Sequence, residues 1–197
     1  MENSLIKVIM ERRSVRKYKP EQVDERHLST IIEAGRSAPS GGNAQQTHII
    51  VIQNPIVLNE LIEVSKREFA KIPITDDMYT GLRSTIEHAY IPDFDFDYIY
   101  GAPVLIIIAN KKECINAMAD SICVLQTMLI AAQALGLGAC YQNPPHWLDD
   151  SDGFRSYMYT LGLNEDETIA GAISLGYPDE DPGPPLLRKG NPVTFIK

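Results

Sequence analysis

The chain has 197 residues, 44% hydrophobic and 22% charged, which is typical of a globular protein with one sizeable core. Its formal net charge of −8 at pH 7 argues against nucleic acid or an anionic membrane as the main partner. Three scattered cysteines and no visible signal peptide predict reduced thiols in a cytoplasmic protein, not a disulfide framework.

Hydrophobic spacing in the N-terminal third predicts three helices around one strand. A short amphipathic helix covers residues 5–10, and Asp24 caps a second helix that ends at a cluster of turn formers, 38–43. The β-branched content of His48–Ile52 predicts a buried strand. Asn54-Pro55 then starts a third helix, because proline is favoured in the first turn.

Residues from about 71 to 100 are interpreted as a loop-rich insertion. They contain Pro73, Gly81 and Pro92 and are rich in acids and aromatic rings. A loop of this length is usually a functional lid or a mobile segment. Alternatively, the aromatic side chains anchor a surface excursion to the core, and the sequence leaves both interpretations open.

The second half of the chain contains the clearest strand. Residues 103–109 are apolar on both faces, which predicts a strand between helical layers. Small residues in 117–135 predict a long, central, buried helix. A short strand at 139–141, a helix at 153–161 and an apolar strand at 168–175 follow.

A proline-rich tail occupies about 182–197, and its Val193–Ile196 run could add a strand to the edge of its own sheet or of a partner's. Strands and helices do not alternate strictly along the chain. The order of elements predicts an α+β fold in a single domain over residues 1–197, with a mixed central sheet between helical layers.

Several common catalytic motifs are missing from the sequence. It contains no G-x-G-x-x-G after a strand, no G-x-x-x-x-G-K-[ST] loop and no G-x-S-x-G elbow. The four histidines lack the spacing of metal ligands, so no metal site is predicted.

Four cations and a hydroxyl stand together in Arg12-Arg13-Ser14-Val15-Arg16-Lys17. Such a cluster in an acidic chain suits one small, highly charged group such as a terminal phosphate, because arginine offers a planar fork of donors and serine a short one. The alternative is a solvated helix end, where cations meet the negative end of the helix dipole.

Two further segments add groups that a flavin mononucleotide (FMN) needs. The turn Pro39–Asn43, with Gln45 and Gln46, offers amides for the polar edge of a flat ring, and its glycines allow close approach of the backbone. Arg188-Lys189 offers more positive charge behind the proline-rich tail.

Together and in this order, these segments resemble the FMN-dependent nitroreductase family. The residues that carry the resemblance are Arg12–Tyr18, Ala34–His48, Ala134–Cys140, Gly176-Tyr177-Pro178 and Arg188. The resemblance covers most of the chain except the insertion at 71–100.

The resemblance implies a homodimer with two FMN sites at the subunit interface. Arg12, Ser14 and Arg16 would hold the phosphate and ribityl chain, with Arg13 nearby. In the turn, Pro39, Ser40, Gly41 and Asn43 would reach the flavin of the partner, and Gln45 is a further implied cofactor-binding residue. Gln142 and Asn143 would lie beside the ring, and Arg188 with Lys189 would lie at the phosphate.

The resemblance further implies an enzyme in which the flavin performs the chemistry and no side chain is catalytic. NADH or NADPH would supply reducing equivalents, and a flat electron-poor acceptor such as a nitroaromatic, quinone or enone would receive them. The alternatives are a non-catalytic FMN-binding or flavin-sequestering protein, and a specialised member that carries out dehalogenation or flavin fragmentation.

One departure from the family pattern concerns the flavin's pyrimidine edge. Many members carry an Asn and a Lys shortly before the strand that starts here at residue 103, and this chain has Asp93–Phe96 instead. Arg83 or Lys71 are the cations that could substitute.

Overall fold

The computed structural model describes residues 4–188 and 190–197. In these ranges the helices are α1 (Ser4–Glu11), α2 (Glu25–Arg36), α3 (Pro55–Phe69), α4 (Thr80–Tyr90), α5 (Ala117–Ala134), α6 (Pro144–Trp147) and α7 (Asp152–Thr160). The strands are β1 (His48–Ile52), β2 (Val104–Lys111), β3 (Gly138–Gln142) and β4 (Glu167–Gly176). A short 3₁₀ turn covers Gly41–Asn43.

The four strands form one sheet in the order β1–β2–β4–β3, and every neighbouring pair is antiparallel. The predicted α+β class with a central sheet is confirmed. The predicted mixture of parallel and antiparallel strands is not confirmed, because parallel pairing among the described residues is limited to one bridge between Ser14 and Ala139. The order of elements did not fix strand direction, since connections that contain helices can return the chain to either end of a sheet.

Strand β2 shows why the sheet needs a helical layer on each face. Val104, Ile106 and Ile108 pack with α2 and α5, whereas Leu105 and Ile107 pack with α3 and α7, and all five are fully buried. Each such side chain stabilises the fold by about 1.5–3 kcal/mol relative to exposure. The prediction of a strand buried between two helical layers is therefore confirmed.

Helix α5 is the predicted central helix. By length and composition alone it could cross a membrane, but it packs against α2 and against strands β2, β3 and β4, as the core helix of a globular protein does. It carries Asp120, a buried acid, in its first turn.

The insertion at 71–100 is less irregular than its composition suggests. It contains α4, a helix that the loop-rich interpretation did not include. Ile86, Phe96 and Tyr98 are buried in the α3/α7 layer, whereas Tyr79 is exposed. Some of the insertion's apolar side chains therefore do anchor it to the core.

The tail run Val193–Ile196 lies outside the sheet and is exposed in the single chain. The option that it extends its own sheet is therefore not realised here. Pairing with a partner's sheet stays a prediction.

The start of β1 is tied to the start of β4 through side chains. His48 Nδ1 lies 2.9 Å from Glu167 Oε2, and the same oxygen accepts the backbone N–H of Asn164 at 2.9 Å. Burial tends to raise the pKa of Glu167, but the hydrogen bonds with His48 and Asn164 outweigh it, so that the pKa lies below its ordinary value.

This lowered pKa predicts a pH-dependent contribution to stability. The ionised carboxylate stabilises the fold above the ordinary Glu pKa, and this contribution is lost as the pH falls through the lower folded value. We expect Glu167→Gln to lower the free energy of unfolding at about pH 7 and to lower it less at about pH 4. Urea unfolding at both pH values measures this, with the exposed Glu63→Gln as the control. An equal loss at both values would contradict the assignment.

Candidate functional site

The arginine-bearing segment lies along the outer edge of β3. Ser14 forms its bridge with Ala139, and Val15 N–H donates to the Ala139 carbonyl at 3.1 Å. The contact requires glycine at 138, where an added Cβ would lie 2.8–3.0 Å from the side-chain carbons of Val15. The segment that follows the end of α1 at Glu11 is therefore held against the edge of the sheet.

Because side chains alternate along an extended segment, its cations divide into two sets. Arg12, Ser14 and Arg16 form one set around the thiol of Cys140. Burial raises the pKa of Cys140, and Arg16, Ser14 and Arg12 act in the opposite direction. The Arg16 guanidinium also lies 5.8 Å from the centre of the Tyr100 ring. Two guanidinium groups and a hydroxyl thus meet at one partly exposed place.

The other set faces the C-terminal tail. Arg13 Nη1 donates to the carbonyl of Pro184, and Lys17 Nζ lies 3.7 Å from Asp179 and 3.5 Å from Glu180. In the single chain these two cations hold the tail. A phosphate role for Arg13 stays a prediction.

Cys140 is 3% exposed, as is common for a free cysteine that packs as a small apolar residue. On the same face of the sheet, Gln142 Nε2 donates to Ser174 Oγ at 2.9 Å, and the Tyr18 hydroxyl donates to the Val15 carbonyl at 2.7 Å. The Tyr18 hydroxyl also lies 3.1 Å from Ser174 Oγ. Ser174 therefore joins both β3 and the end of the arginine-bearing segment to β4.

The backbone of β3 remains open beyond this contact. The Ala139 carbonyl points outward to Val15, so the alternation of an edge strand turns the backbone groups of Tyr141 outward as well. Asn143 follows at the first residue before α6, and its carbonyl accepts the N–H groups of His146 and Trp147 at 2.9 and 3.0 Å. Gln142 and Asn143, which were predicted to lie beside a ring, are thus close to the set formed by Arg12, Ser14 and Arg16.

The turn before β1 is compact and strained. Gly42, Asn43 and Gln45 all have left-handed backbones, with φ values of 59°, 57° and 53°. The Ser40 hydroxyl accepts the N–H of Gln45, and the Gln45 amide donates to Asn43 Oδ1, both at 3.0 Å. Pro39, Ser40 and Gln45 also line a small cavity beside α2 and α5.

The single chain does not bring this turn to the arginine-bearing segment. β1 and β3 are the two outer strands, three spacings or roughly 14 Å apart. His48 and Ala139 also lie at opposite ends of the sheet, since their levels on β4 are Ile169 and Leu175, roughly 20 Å apart along the strand. The two halves of the predicted site would therefore meet only between two chains.

The remaining predicted cations are found in varied surroundings. Arg188 is exposed in the coil of the tail, and Lys189 lies outside the described residues. Arg83 lies 3.0 Å from Glu87, and Lys71 lies 2.6 Å from Glu68. Both possible substitutes at the pyrimidine edge are thus engaged in ion pairs on their own helices or beside them.

Two groups that hold the turn before β1 were not predicted from the sequence. Asp120 accepts the N–H of Gly41 at 3.0 Å, and the Asn116 side chain covers the same glycine. A lone acid in the first turn of an otherwise apolar helix was the available signal.

Tyr79 and Trp147 are in contact, with ring centres 6.2 Å apart, which places the start of the insertion beside α6.

A sequence profile described as the Nitroreductase family matches residues 9–177. The chain belongs to the nitroreductase family. It is 26% identical over 185 residues to an NADPH-flavin oxidoreductase of Vibrio harveyi, a match that covers 91% of this chain and 68% of that protein.

Solved structures agree with this membership. A nitroreductase of Bacteroides fragilis, solved with bound FMN, is 32% identical, with a TM-score of 0.84 and coverage of 99% of this chain and 100% of that one. An iodotyrosine deiodinase bound to FMN and 3-iodo-L-tyrosine shares the nitroreductase fold at 20% identity, with a TM-score of 0.75 and coverage of 98% and 99%.

The close contact at Gly138 predicts the effect of a single methyl group. Gly138→Ala should force Val15 away from β3 and destabilise the fold by about 1–3 kcal/mol, the usual cost of overpacking. Thermal unfolding measures this change. Gly190→Ala is the control, because an added Cβ there has no atom within 4 Å among the described residues. Equal melting temperatures for the two variants would show that the contact at Gly138 is not tight.

Proposed function

We propose that this chain is an FMN-dependent NAD(P)H oxidoreductase that acts as a cytoplasmic homodimer and reduces flat, electron-poor acceptors such as nitroaromatics, quinones or enones. The observation that carries the proposal is the set formed by Arg12, Ser14 and Arg16 at one side of β3. The names of its relatives, which include flavin oxidoreductases and nitroreductases, support the same class of reaction.

The donor set fits the charged end of FMN. A phosphate monoester offers three acceptor oxygens and about two negative charges, which match two guanidinium forks and a hydroxyl. The site lies on a chain with a net charge of −8, so this local positive charge is specific to the place and is not a general property of the surface.

The flat ring would lie beside the open edge of β3. The outward backbone groups of Tyr141 and the half-buried side-chain amide of Asn143 offer hydrogen bonds to a polar ring edge. Bound FMN supplies hydride acceptance and donation, so the chain itself needs no nucleophile or acid–base pair. Its residues bind and orient the cofactor and limit the access of water and substrate.

A second copy of the chain would complete the site. The turn from Pro39 to Gln45 is far from the arginine-bearing segment of its own chain, and in a two-fold dimer the same turn of the partner can approach it. The exposed apolar side chains of α1 and the tail support burial against a second chain; they include Ile6, Ile9 and Met10, then Leu186, Leu187, Val193, Phe195 and Ile196.

The insertion at 71–100 would border the acceptor as a lid. Its first part touches α6 through Tyr79 and Trp147, and its last part touches Arg16 through Tyr100. Exposed aromatic rings at such positions stack on flat molecules. The buried residues of the same segment, such as Ile86, keep it attached to the core.

The proposal predicts a yellow protein. Purified material should show a flavin spectrum, release FMN on heating, run as a dimer in size-exclusion chromatography and oxidise NADH or NADPH when a quinone is added. A colourless protein that does not bind added FMN would refute the proposal. Full FMN loading without turnover would favour the flavin-binding alternative.

The phosphate assignment predicts a large effect of single cations. Arg12→Ala and Arg16→Ala should each weaken FMN binding by about 1.5–3 kcal/mol, or roughly 10- to 150-fold, because each removes a charged hydrogen bond. Titration of apoprotein by flavin fluorescence measures this. Arg26→Ala, an exposed arginine on α2, is the matched control. Wild-type affinity in both variants would contradict the assignment.

A further inference from the structure

We propose that Asp120 is a positioning residue for the flavin site, and that it holds the turn Ser40–Gln45 in the shape that reaches the FMN of the second subunit. The inference rests on the proposed function and deepens it. Among the described residues, Asp120 has no hydrogen bond or ion pair with the arginine-bearing segment or with β3. Its effect on the cofactor would therefore pass through the turn, which it holds at Gly41.

The bond between Asp120 and the turn is charged and buried. Asp120 is 6% exposed, and its Oδ1 accepts the backbone N–H of Gly41 at 3.0 Å. Among the described residues no Lys, Arg or His forms an ion pair with it. The carboxylate is therefore available to hold the turn.

The turn needs an external tether because its own backbone is strained. Gln45 adopts a left-handed conformation that residues other than Gly and Asn visit rarely, and Asn43, two residues before it, is left-handed as well. The bonds from Ser40 to Gln45 and from Gln45 to Asn43 join the turn only to itself. Strained backbone of this kind persists only where its surroundings enforce it, and it concentrates at ligand sites.

The contacts around Gly41 show that α5 supplies this enforcement. The Asn116 side chain lies so close that an added Cβ would be 2.1 Å from its Nδ2 atom. At the other end of the turn, Asn110 Nδ2 donates to Thr47 Oγ1 at 3.3 Å. Since this second tether precedes β1 directly, loss of Asp120 would release the turn while β1 stays in the sheet.

The test compares Asp120→Ala and Asp120→Asn with Asp152→Asn. Asp152 is an exposed acid in the first turn of α7, so its variant removes a similar helix-terminal charge without touching the turn. Three quantities are measured on the full-length chain: amide hydrogen exchange of residues 41–45, the FMN dissociation constant, and the melting temperature.

We expect Asp120→Ala to speed exchange in residues 41–45 and to weaken FMN binding roughly tenfold or more, as loss of a charged hydrogen bond does. Asp120→Asn, which keeps a neutral acceptor in the same place, should restore part of the affinity. The visible absorption bands of bound flavin should shift in Asp120→Ala relative to Asp152→Asn, because the turn would face the ring and not the phosphate.

The outcomes separate this inference from the function on which it rests. If wild type binds FMN and Arg12→Ala weakens it, but both Asp120 variants bind as wild type does, the positioning role is wrong and the function stands. Unchanged exchange in residues 41–45 would also overturn the role. If wild type binds no FMN, both proposals fail. Should Asp120→Ala not fold, Asp120→Asn gives the same comparison.

Discussion

The close approach of the arginine-bearing segment to the outer edge of β3 is the constraint on which the rest of the candidate site depends. Val15 can donate to the Ala139 carbonyl only because position 138 carries no side chain. That single bridge makes the segment extended, and extension in turn aims Arg12, Ser14 and Arg16 to one side. The Tyr18 hydroxyl contacts the carbonyls of Val15 and Ser174, and the Gln142 amide donates to Ser174 Oγ, so that both the segment and β3 are bonded to β4.

Much of the fold could be predicted from local patterns. The strand His48–Ile52 and the start of the long helix at Ala117 are where hydrophobic and β-branched residues indicated them. Helix α4 was missed because Gly81 and its polar residues interrupt the apolar spacing of Leu82, Ile86 and Ala89. Strand directions were missed because they are set by pairing between distant residues, such as Val51 with Ile106, which leaves no local signal.

The candidate site shows the same division between local and long-range information. The cluster of cations was visible as a motif, but its separation into two sets was not, since that depends on a bridge between residues far apart in the chain, Ser14 and Ala139. Asp120 stood out as a lone acid in an apolar helix, but its partner could not be predicted for a related reason. Its role comes from a hydrogen bond to Gly41, and nothing in the sequence around either residue announces the other.

The alternation in the arginine-bearing segment has a consequence for how this protein can change over evolution. Insertion or deletion of a single residue between Arg12 and Arg16 would exchange the sides to which the downstream side chains point. Side chains that face Cys140 would turn to the tail, and those that contact the tail would turn towards Cys140. A single substitution there changes one set of contacts, whereas a change in length disrupts both sets at once. The spacing of these residues therefore matters to both sets of contacts, whereas each side chain matters to one.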